Sequence, residues 1–378
     1  MNAAGIIFSN LHGRHIPELT RMRTMASVPF ACRYRLIDFA LSNMVNSGIT
    51  NISVITHNNY RSLMDHIGSG KDWDMARRSG GIKLLPPYIT ANSTPMANAL
   101  YSSRLEALKS ISQSISELKE DYVVLSDCDV ICNIDLADVL RDHIAHNADM
   151  TMVVKRLPVI TAEEKSRVIF EADSDGRILD CEVRPQPGLR EQNVGLNIWV
   201  ITRTYLQSVV QDSIAHGYTS FNHDIVAKNA SRRNFRVYRF DGPYGDMSSL
   251  AGYFKESMAL LNNHASWDAL FNVEQRPVLT HVRNSPPTKY AASARVRNCM
   301  IADGCRIEGK VENCIIFRGV RVSPNAVVKN SILFEDAYIG ADADLNCVIA
   351  DKSVVIRERV RLSGHPALPF YIDKSTML

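Results

Sequence analysis

The sequence lacks several features that mark common protein classes. Its eight cysteines form no Cys-x-x-Cys pair and no zinc-type spacing with histidine, in a chain of 378 residues that is too large to need disulfides. No apolar run approaches the ~18 residues of a membrane span. The first residues, MNAAGIIF, lack the charged start and cleavage site of a secretory signal. We therefore expect reduced, mostly buried thiols, no membrane association and a cytoplasmic location.

An excess of charge of either sign is also missing. The chain has 43 Lys and Arg against 40 Asp and Glu, and its aromatic residues do not alternate with a basic stripe. A nucleic-acid surface normally needs such a stripe. We expect no nucleic-acid partner, and any anion site must be local.

Glycine is scarce in the first loop. Residues 6–19 read IIFSNLHGRHIPEL, an apolar strand followed by a loop with one glycine. Loops that bind nucleotide phosphates are usually rich in glycine, because a missing Cβ lets backbone N–H groups approach the phosphate oxygens. The chain therefore begins like a nucleotide-binding domain but lacks the usual loop composition.

The first 255 residues alternate between two patterns. Short β-rich runs, at 51–56, 121–126, 150–155 and 195–201, are separated by helical stretches. Helices are predicted at 97–115 and over RLIDFALSNMVNSG, which should end near Gly48. The alternation predicts an α/β domain with a mostly parallel sheet over residues 1–255.

The C-terminal part has a period of six. β-Branched and other apolar residues recur at this spacing, at positions 301 and 307, then 316, 322 and 328, then 333, 339 and 345, then 349 and 355. This repeat is typical of a parallel β-helix. We place it at about 291–365, followed by a tail to residue 378, with 256–290 as the linker.

Four segments resemble bacterial ADP-glucose pyrophosphorylase, namely RYRLIDFALSNMVNSGI, HIGSGKDWD, GGIKLLPPY and the hexad region. The resemblance covers nearly the whole chain and is strongest to the divergent GlgD-type subunits of glycogen synthesis. It implies a Rossmann-like nucleotidyltransferase domain followed by a left-handed β-helix. The family joins ATP and glucose 1-phosphate into ADP-glucose and pyrophosphate.

The first loop departs from the family pattern. Active members carry GGxGxRL and then a lysine in a KPA stretch, which together neutralise phosphate charge. Here Ser9, Asn10 and His12 stand where the resemblance places the glycines, and Met25 stands where it places the lysine. Arg14 is the one residue of the loop that matches, and it would be a residual catalytic group or a solvated arginine.

The resemblance implies two carboxylates that bind Mg²⁺, a hard cation that prefers oxygen ligands. The first is Asp129 in LSDCDVICNID, although Asp127 competes for this role. The second is Asp246 in GPYGDMSS, where Gly245 replaces a lysine. Mg²⁺ is therefore the expected cofactor if any nucleotide site survives.

The sugar-phosphate half of the site is better preserved. The family's EKP motif reads CEVRP here, which gives Glu182 and Arg184. NVGLNI supplies Gly195, and FNHDIV supplies Asp224. The Gly-Thr-Ala nucleotide segment is altered at 95–97. The resemblance thus implies a glucose 1-phosphate pocket beside a degraded nucleotide loop.

Basic residues near the first loop are candidates for an effector site, because family members bind anionic metabolites with neighbouring basic residues. The four candidates are Arg21, Arg23, Arg33 and Arg35. Solvated surface arginines are the alternative for each of them.

We therefore expect a regulatory subunit, inactive or weakly active alone, that assembles with a catalytic homologue in a hetero-oligomer such as a tetramer. The alternative is a self-sufficient glucose-1-phosphate adenylyltransferase with an altered loop. An acyltransferase built on the β-helix is disfavoured by its few hexads. A structural homologue without a ligand also stays open.

Overall fold

The computed structural model describes residues 2–11, 13–86, 101–158, 167–183 and 191–378, and the side chain of Arg14 is not described. Its N-terminal part contains thirteen strands within these ranges: β1 Ala3–Phe8, β2 Pro29–Phe30, β3 Tyr34–Arg35, β4 Asn51–Ile55, β5 Gly81–Leu85, β6 Tyr122–Asp127, β7 Val130–Cys132, β8 Met150–Leu157, β9 Ile169–Ala172, β10 Ile178–Glu182, β11 Gln192–Thr202, β12 Phe235–Arg239 and β13 Tyr244–Asp246.

Nine of these strands form one twisted sheet. Its order is β5-β4-β1-β6-β11-β8-β12, and β9 and β10 extend it from β11. The first four strands of this order run parallel, as do β8 and β12, while β11 runs antiparallel to β6 and β8. The predicted α/β nucleotidyltransferase fold is confirmed.

The described ranges contain nine α-helices: α1 Pro17–Thr20, α2 Leu36–Asn46, α3 Arg61–Ile67, α4 Arg104–Ser110, α5 Ser112–Ser116, α6 Leu136–Ala145, α7 Arg203–His216, α8 Leu250–Asn262 and α9 His264–Phe271. A π-helix spans Phe221–Ala227. The helix predicted over residues 35–48 is present as α2, and Gly48 follows its end with a φ of 78°. Left-handed backbone of this kind favours glycine after a helix.

The predicted helix at 97–115 differs from the structure. Residues 97–100 lie outside the described residues, and α4 begins only after Ser103, whose hydroxyl accepts a hydrogen bond from the N–H of Glu106 at 3.2 Å. This side-chain cap favours a start at Arg104. The helix also breaks at Ile111, between α4 and α5.

The predicted linker at 256–290 is partly helical. Helix α8 crosses the predicted boundary at residue 255, and α9 follows it after a single residue. The tyrosine hydroxyl of Tyr253 donates to the carbonyl of Pro29 at 2.6 Å, and its ring packs edge-on against Phe334 of the C-terminal part. Helix α8 therefore lies between the two parts and contributes to their common core.

The C-terminal part is a left-handed parallel β-helix with three faces. Its strands are β14 Lys289–Tyr290, β15 Arg295–Ile301, β16 Arg306–Ile307, β17 Lys310–Ile316, β18 Arg321–Val322, β19 Val327–Lys329, β20 Ile332–Leu333, β21 Tyr338–Ile339, β22 Asp344–Asn346, β23 Val348–Ala350, β24 Val355–Ile356, β25 Arg361–Ser363 and β26 Phe370–Ile372. All of their pairings are parallel.

Stacked apolar side chains fill the β-helix. On one face Ile307, Val322, Ile339 and Ile356 occupy successive coils, and each is buried. The predicted pair 349 and 355 is therefore out of register by one residue. Ile349 is buried on the side that packs against the N-terminal part, whereas Ala350 and Ile356 point into the β-helix.

The cysteine prediction is confirmed. All eight thiols are free, and six of them are buried. Within the described ranges, no helix has both the length and the apolar composition that crossing a membrane would require.

Candidate functional site

The candidate site lies at the carboxyl ends of β1, β4 and β6, three neighbouring parallel strands. Ligands of open α/β sheets bind at this edge, where loops from adjacent strands meet. The loop after β1 contains Ser9 and Asn10, the loop after β4 contains Thr56 and His57, and β6 ends at Asp127.

Asn10 closes the first loop by hydrogen bonds within the protein. Its carbonyl oxygen accepts from the hydroxyl of Thr56 at 3.2 Å and from the N–H of His57 at 3.3 Å. Its amide nitrogen donates to the carbonyl of Asn58 at 3.2 Å. A side chain thus ties the loop after β1 to the loop after β4, at a position where a glycine would leave backbone N–H groups open to a phosphate.

Met25 belongs to the core. It begins a 3-10 turn that Thr24 caps, and only 2% of it is exposed. The next residue, Ala26, donates its N–H to the carbonyl of Ser9 at 3.1 Å. His12 and the side chain of Arg14 lie outside the described residues.

The structure brings the two predicted metal carboxylates together. Asp129 lies in the turn between β6 and β7, and Asp246 ends β13, which pairs with β7. The N–H of Met247 donates to the carbonyl of Asp129 at 2.9 Å. Two short strands therefore position the carboxylates.

A buried arginine lies between these carboxylates. Arg167 is 3% exposed; its Nη2 lies 2.6 Å from Asp246 Oδ1, and its Nη1 lies 3.6 Å from Asp129 Oδ2. Its Nε also donates to Asp246 Oδ2 at 3.0 Å. Burial opposes both charges, but their attraction outweighs it, so the pKa of Arg167 lies above and that of Asp246 below its ordinary value.

Asp127 has a separate arginine. Arg104, also buried, donates from Nε to Asp127 Oδ1 at 3.3 Å and from Nη2 to the amide oxygen of Asn197 at 3.2 Å. The amide nitrogen of Asn197 donates in turn to Asp129 Oδ2 at 3.0 Å. Asn197 thus links Arg104 to Asp129, and it lies in a strand irregularity with a φ of 56°.

The residues present do not fit the expected Mg²⁺. Within the described residues, no group of three or more His, Cys, Asp or Glu side chains is arranged to hold a metal ion. The two carboxylates that the resemblance assigns to the metal already contact one guanidinium. Mg²⁺ needs near-ideal octahedral oxygen ligands, and an arginine at this position supplies none.

The predicted sugar-phosphate residues lie on β10, β11 and the π-helix. Glu182 ends β10, and Asp224 lies in the π-helix that packs against this strand. Gly195 is required by packing, because a Cβ there would lie 2.9 Å from the ring of Phe170. Arg184 and residues 95–97 lie outside the described residues.

Asp224 is held by its own helix. Burial would raise its pKa, but backbone N–H groups and the ammonium of Lys228, 2.9 Å away, hold the pKa well below its usual range. Its sugar-binding role stays a prediction.

The four predicted effector arginines are engaged in different ways. Arg23 is buried and donates to Asp351 of the β-helix at 2.6 Å, and Arg35 is buried against the hydroxyl of Ser62 at 2.9 Å. Arg21 forms an exposed pair with Asp373. Arg33 lies over the ring of Tyr34. Arg23 and Arg35 therefore make contacts within the protein, and an effector role for the four arginines stays a prediction.

Sequence reasoning did not single out Arg104, Arg167 or Asn197. Arg104 begins a helix, and Arg167 stands just before a strand, where a solvated arginine is common. Asn197 lay within the quoted run NVGLNI, but its left-handed backbone has no signal in the pattern. The only signal available for Arg167 is its position as a basic residue just before a buried apolar strand.

A sheet with carboxylates at the ends of its strands, followed by a hexad β-helix, defines a nucleotidyltransferase-like protein with a hexapeptide domain. Two family descriptions match: "Nucleotidyl transferase" over residues 4–241 and "GlmU-like, C-terminal hexapeptide" over residues 286–367. The chain belongs to the nucleotidyl transferase family, among the relatives of glucose-1-phosphate adenylyltransferase and GlgD.

Three relatives illustrate this placement. The glycogen biosynthesis protein GlgD of Bacillus subtilis strain 168 is 31% identical, over 98% of this chain and 95% of its own length. A glucose-1-phosphate adenylyltransferase of Thermotoga neapolitana is 32% identical, over 87% of this chain and 76% of its own length. Another from Fervidobacterium nodosum is 28% identical, over 99% and 88%.

Proposed function

We propose that this chain acts in cytoplasmic glycogen synthesis as a regulatory subunit with little activity of its own. It assembles with a catalytic glucose-1-phosphate adenylyltransferase in a mixed oligomer and raises that partner's activity. The similarity to GlgD over nearly the full length of both chains supports a role in glycogen synthesis.

The closed first loop supports low activity. Nucleotidyl transfer develops charge on phosphate oxygens, which backbone N–H groups and a cation must stabilise. The side chain of Asn10 is hydrogen-bonded across this loop to Thr56 and His57. Met25 is an apolar core residue at the position where active members carry the lysine. Loss of one such donor in comparable sites costs about 10²- to 10³-fold in kcat.

The second part of the proposal is that the chain binds a ligand. Glu182 and Gly195 lie on two strands that both pair with β9, and Asp224 lies in the π-helix that packs against β10. This arrangement supports glucose 1-phosphate or another anionic metabolite as the proposed ligand. A regulatory subunit can act only through different affinities for its partner's active and inactive states, and a five- to 150-fold effect corresponds to about 1 to 3 kcal/mol.

The test uses the purified chain, a purified catalytic homologue and their mixture. We expect ADP-glucose formation by the chain alone to lie roughly 10²-fold or more below that of the homologue. The mixture should elute as one larger species and have a higher kcat or a lower substrate KM. Glucose 1-phosphate should raise the melting temperature of the chain by mass action.

Two results would contradict the proposal. Turnover by the isolated chain at about 1 to 1,000 per second, typical of enzymes, would favour the self-sufficient enzyme instead. Separate elution of the two proteins, with unchanged kcat and KM across a titration, would exclude a regulatory subunit for that homologue.

A further inference from the structure

The guanidinium of Arg167 occupies the space where the two predicted metal carboxylates face each other. It contacts Asp246 through Nε and Nη2, at 3.0 Å and 2.6 Å, and Asp129 through Nη1 at 3.6 Å. A divalent cation shared by these carboxylates would have to take the same place. Two like charges would then be adjacent in a site from which solvent is largely excluded.

The surrounding contacts hold this arrangement in place. Asp246 also accepts from the N–H of Ser248 at 2.9 Å, and Asp129 accepts from the amide of Asn197. Arg167 and Asp129 are both nearly fully buried. A planar, delocalised guanidinium suits such a site, because its charge can face carboxylates of two neighbouring elements at once.

Arginines of the same chain already face these aspartates. Asp129 and Asp246 carry two negative charges, and Arg167 supplies one positive charge between them. Asp127 has its own buried partner in Arg104. The three aspartates at this edge thus face two arginines of the same chain.

We propose that Arg167 is the resident cation of this site, and that the chain therefore takes up no divalent cation at Asp129 and Asp246. This goes beyond the proposed regulatory function, since a regulatory subunit could retain a metal site. It also makes a specific claim about one side chain: removal of the guanidinium should create a metal site that the wild-type chain lacks.

The test titrates Mn²⁺ into the full-length wild-type chain and the variant Arg167→Ser, and follows free Mn²⁺ by its paramagnetic resonance signal. Mn²⁺ is a suitable probe because it shares the preference of Mg²⁺ for carboxylate oxygens. The wild type should leave Mn²⁺ free, whereas Arg167→Ser should bind one equivalent through the two carboxylates.

Two further variants serve as controls. Arg156→Ser removes an exposed arginine that pairs with Glu191 at 2.6 Å, and it should behave like the wild type. Arg167→Ser combined with Asp246→Asn should lose the new Mn²⁺ site. Catalysis is not a readout, so the result does not depend on the proposed function.

A wild-type site for Mn²⁺ that Asp246→Asn abolishes would overturn the proposal, and so would a folded Arg167→Ser that binds none. Should Arg167→Ser lose stability through repulsion of the carboxylates, thermal unfolding replaces the titration. Mn²⁺ must then raise the melting temperature of Arg167→Ser but not that of the doubly substituted chain. The absence of this difference would also overturn it.

Discussion

At the scale of single residues, the imidazole of His143 is fully buried in α6. Its Nδ1 lies 2.8 Å from the hydroxyl of Thr151, and the ring packs edge-on against Tyr122. Among the described residues, its Nε2 has no hydrogen-bond partner. Burial lowers the pKa of His143 to about 4, because the protonated ring would be desolvated.

This shift predicts a pH-dependent stability. An unfolded histidine has a pKa of about 6.5, so between about pH 6.5 and 4 the unfolded chain binds more protons than the folded chain. The free energy of unfolding therefore falls as the pH falls through this window, by up to about 1.4 kcal/mol per pH unit from this group. Urea unfolding at several pH values should show His143→Gln with a flatter slope than the wild type.

His216 provides the matched control. It also lies in the last turn of a helix, but it is exposed, and its Nδ1 contacts the carbonyl of Asp212 at 2.8 Å. His216→Gln should leave the slope unchanged. Equal slopes for the wild type and His143→Gln would show that His143 does not contribute to the acid sensitivity.

The candidate site was only partly predictable at this scale. The resemblance to the family predicts Asp129 and Asp246 as a pair, and the structure places them together. The missed Arg167 reaches them through a tertiary contact, which no local pattern encodes. Asn10 was noted as a missing glycine, but its hydrogen bonds to the loop after β4 depend on sheet order.

At the scale of elements, the β-helix shows what a repeat predicts and where it fails. A period of six correctly placed most inward residues, because each face of a coil presents one apolar side chain to the interior. Coil length varies, however: Ile307 pairs with Val322, whereas Ile339 pairs with Ile356. The pair 349 and 355 is misplaced for a different reason, since the step between groups is not fixed by the repeat: the residue in register with Leu333 is Ala350, one position beyond 349.

The interior of the β-helix should be sensitive to lost volume. Leu345 is fully buried in β22 and is stacked between Val328 and Leu362 of the adjacent coils. Leu345→Ala would leave a cavity that rigid parallel coils cannot easily fill. We expect a loss of about 2 to 5 kcal/mol in the free energy of unfolding, measured by chemical denaturation.

The neighbouring residue Asp344 is the control for this element. It lies on the same strand but is exposed to solvent. Asp344→Ala should change stability by about 0.5 kcal/mol or less. Similar losses for the two variants would mean that the stack of inward side chains does not carry the stability of this coil.

At the scale of the whole molecule, two arginine–aspartate pairs join the N-terminal part to the β-helix. Arg23 donates to Asp351 Oδ1 at 2.6 Å, and both side chains are buried. The hydroxyl of Tyr371 donates to Asp351 Oδ2 at 2.7 Å. The second pair, Arg21 with Asp373, crosses the same boundary but is exposed on both sides.

These pairs provide a comparison between buried and exposed contacts at one boundary. Asp351→Asn removes the charge that compensates Arg23 and leaves a buried guanidinium without its partner, which in comparable pairs costs about 3 to 5 kcal/mol. Asp373→Asn should change the unfolding midpoint little, because water already solvates both groups. Salt should weaken only the contribution of the exposed pair.

The readout can separate the two parts, because the three tryptophans of the chain, Trp73, Trp199 and Trp267, all precede the β-helix. Tryptophan fluorescence therefore reports on the N-terminal part, whereas far-ultraviolet circular dichroism reports on both.

We expect coincident transitions in the wild type and in Asp373→Asn, since a shared core couples the parts. In Asp351→Asn the fluorescence transition should shift to lower denaturant concentration and separate from the dichroism transition. Coincident transitions with an unchanged midpoint in Asp351→Asn would show that the apolar core alone couples the two parts and that the buried ion pair is dispensable.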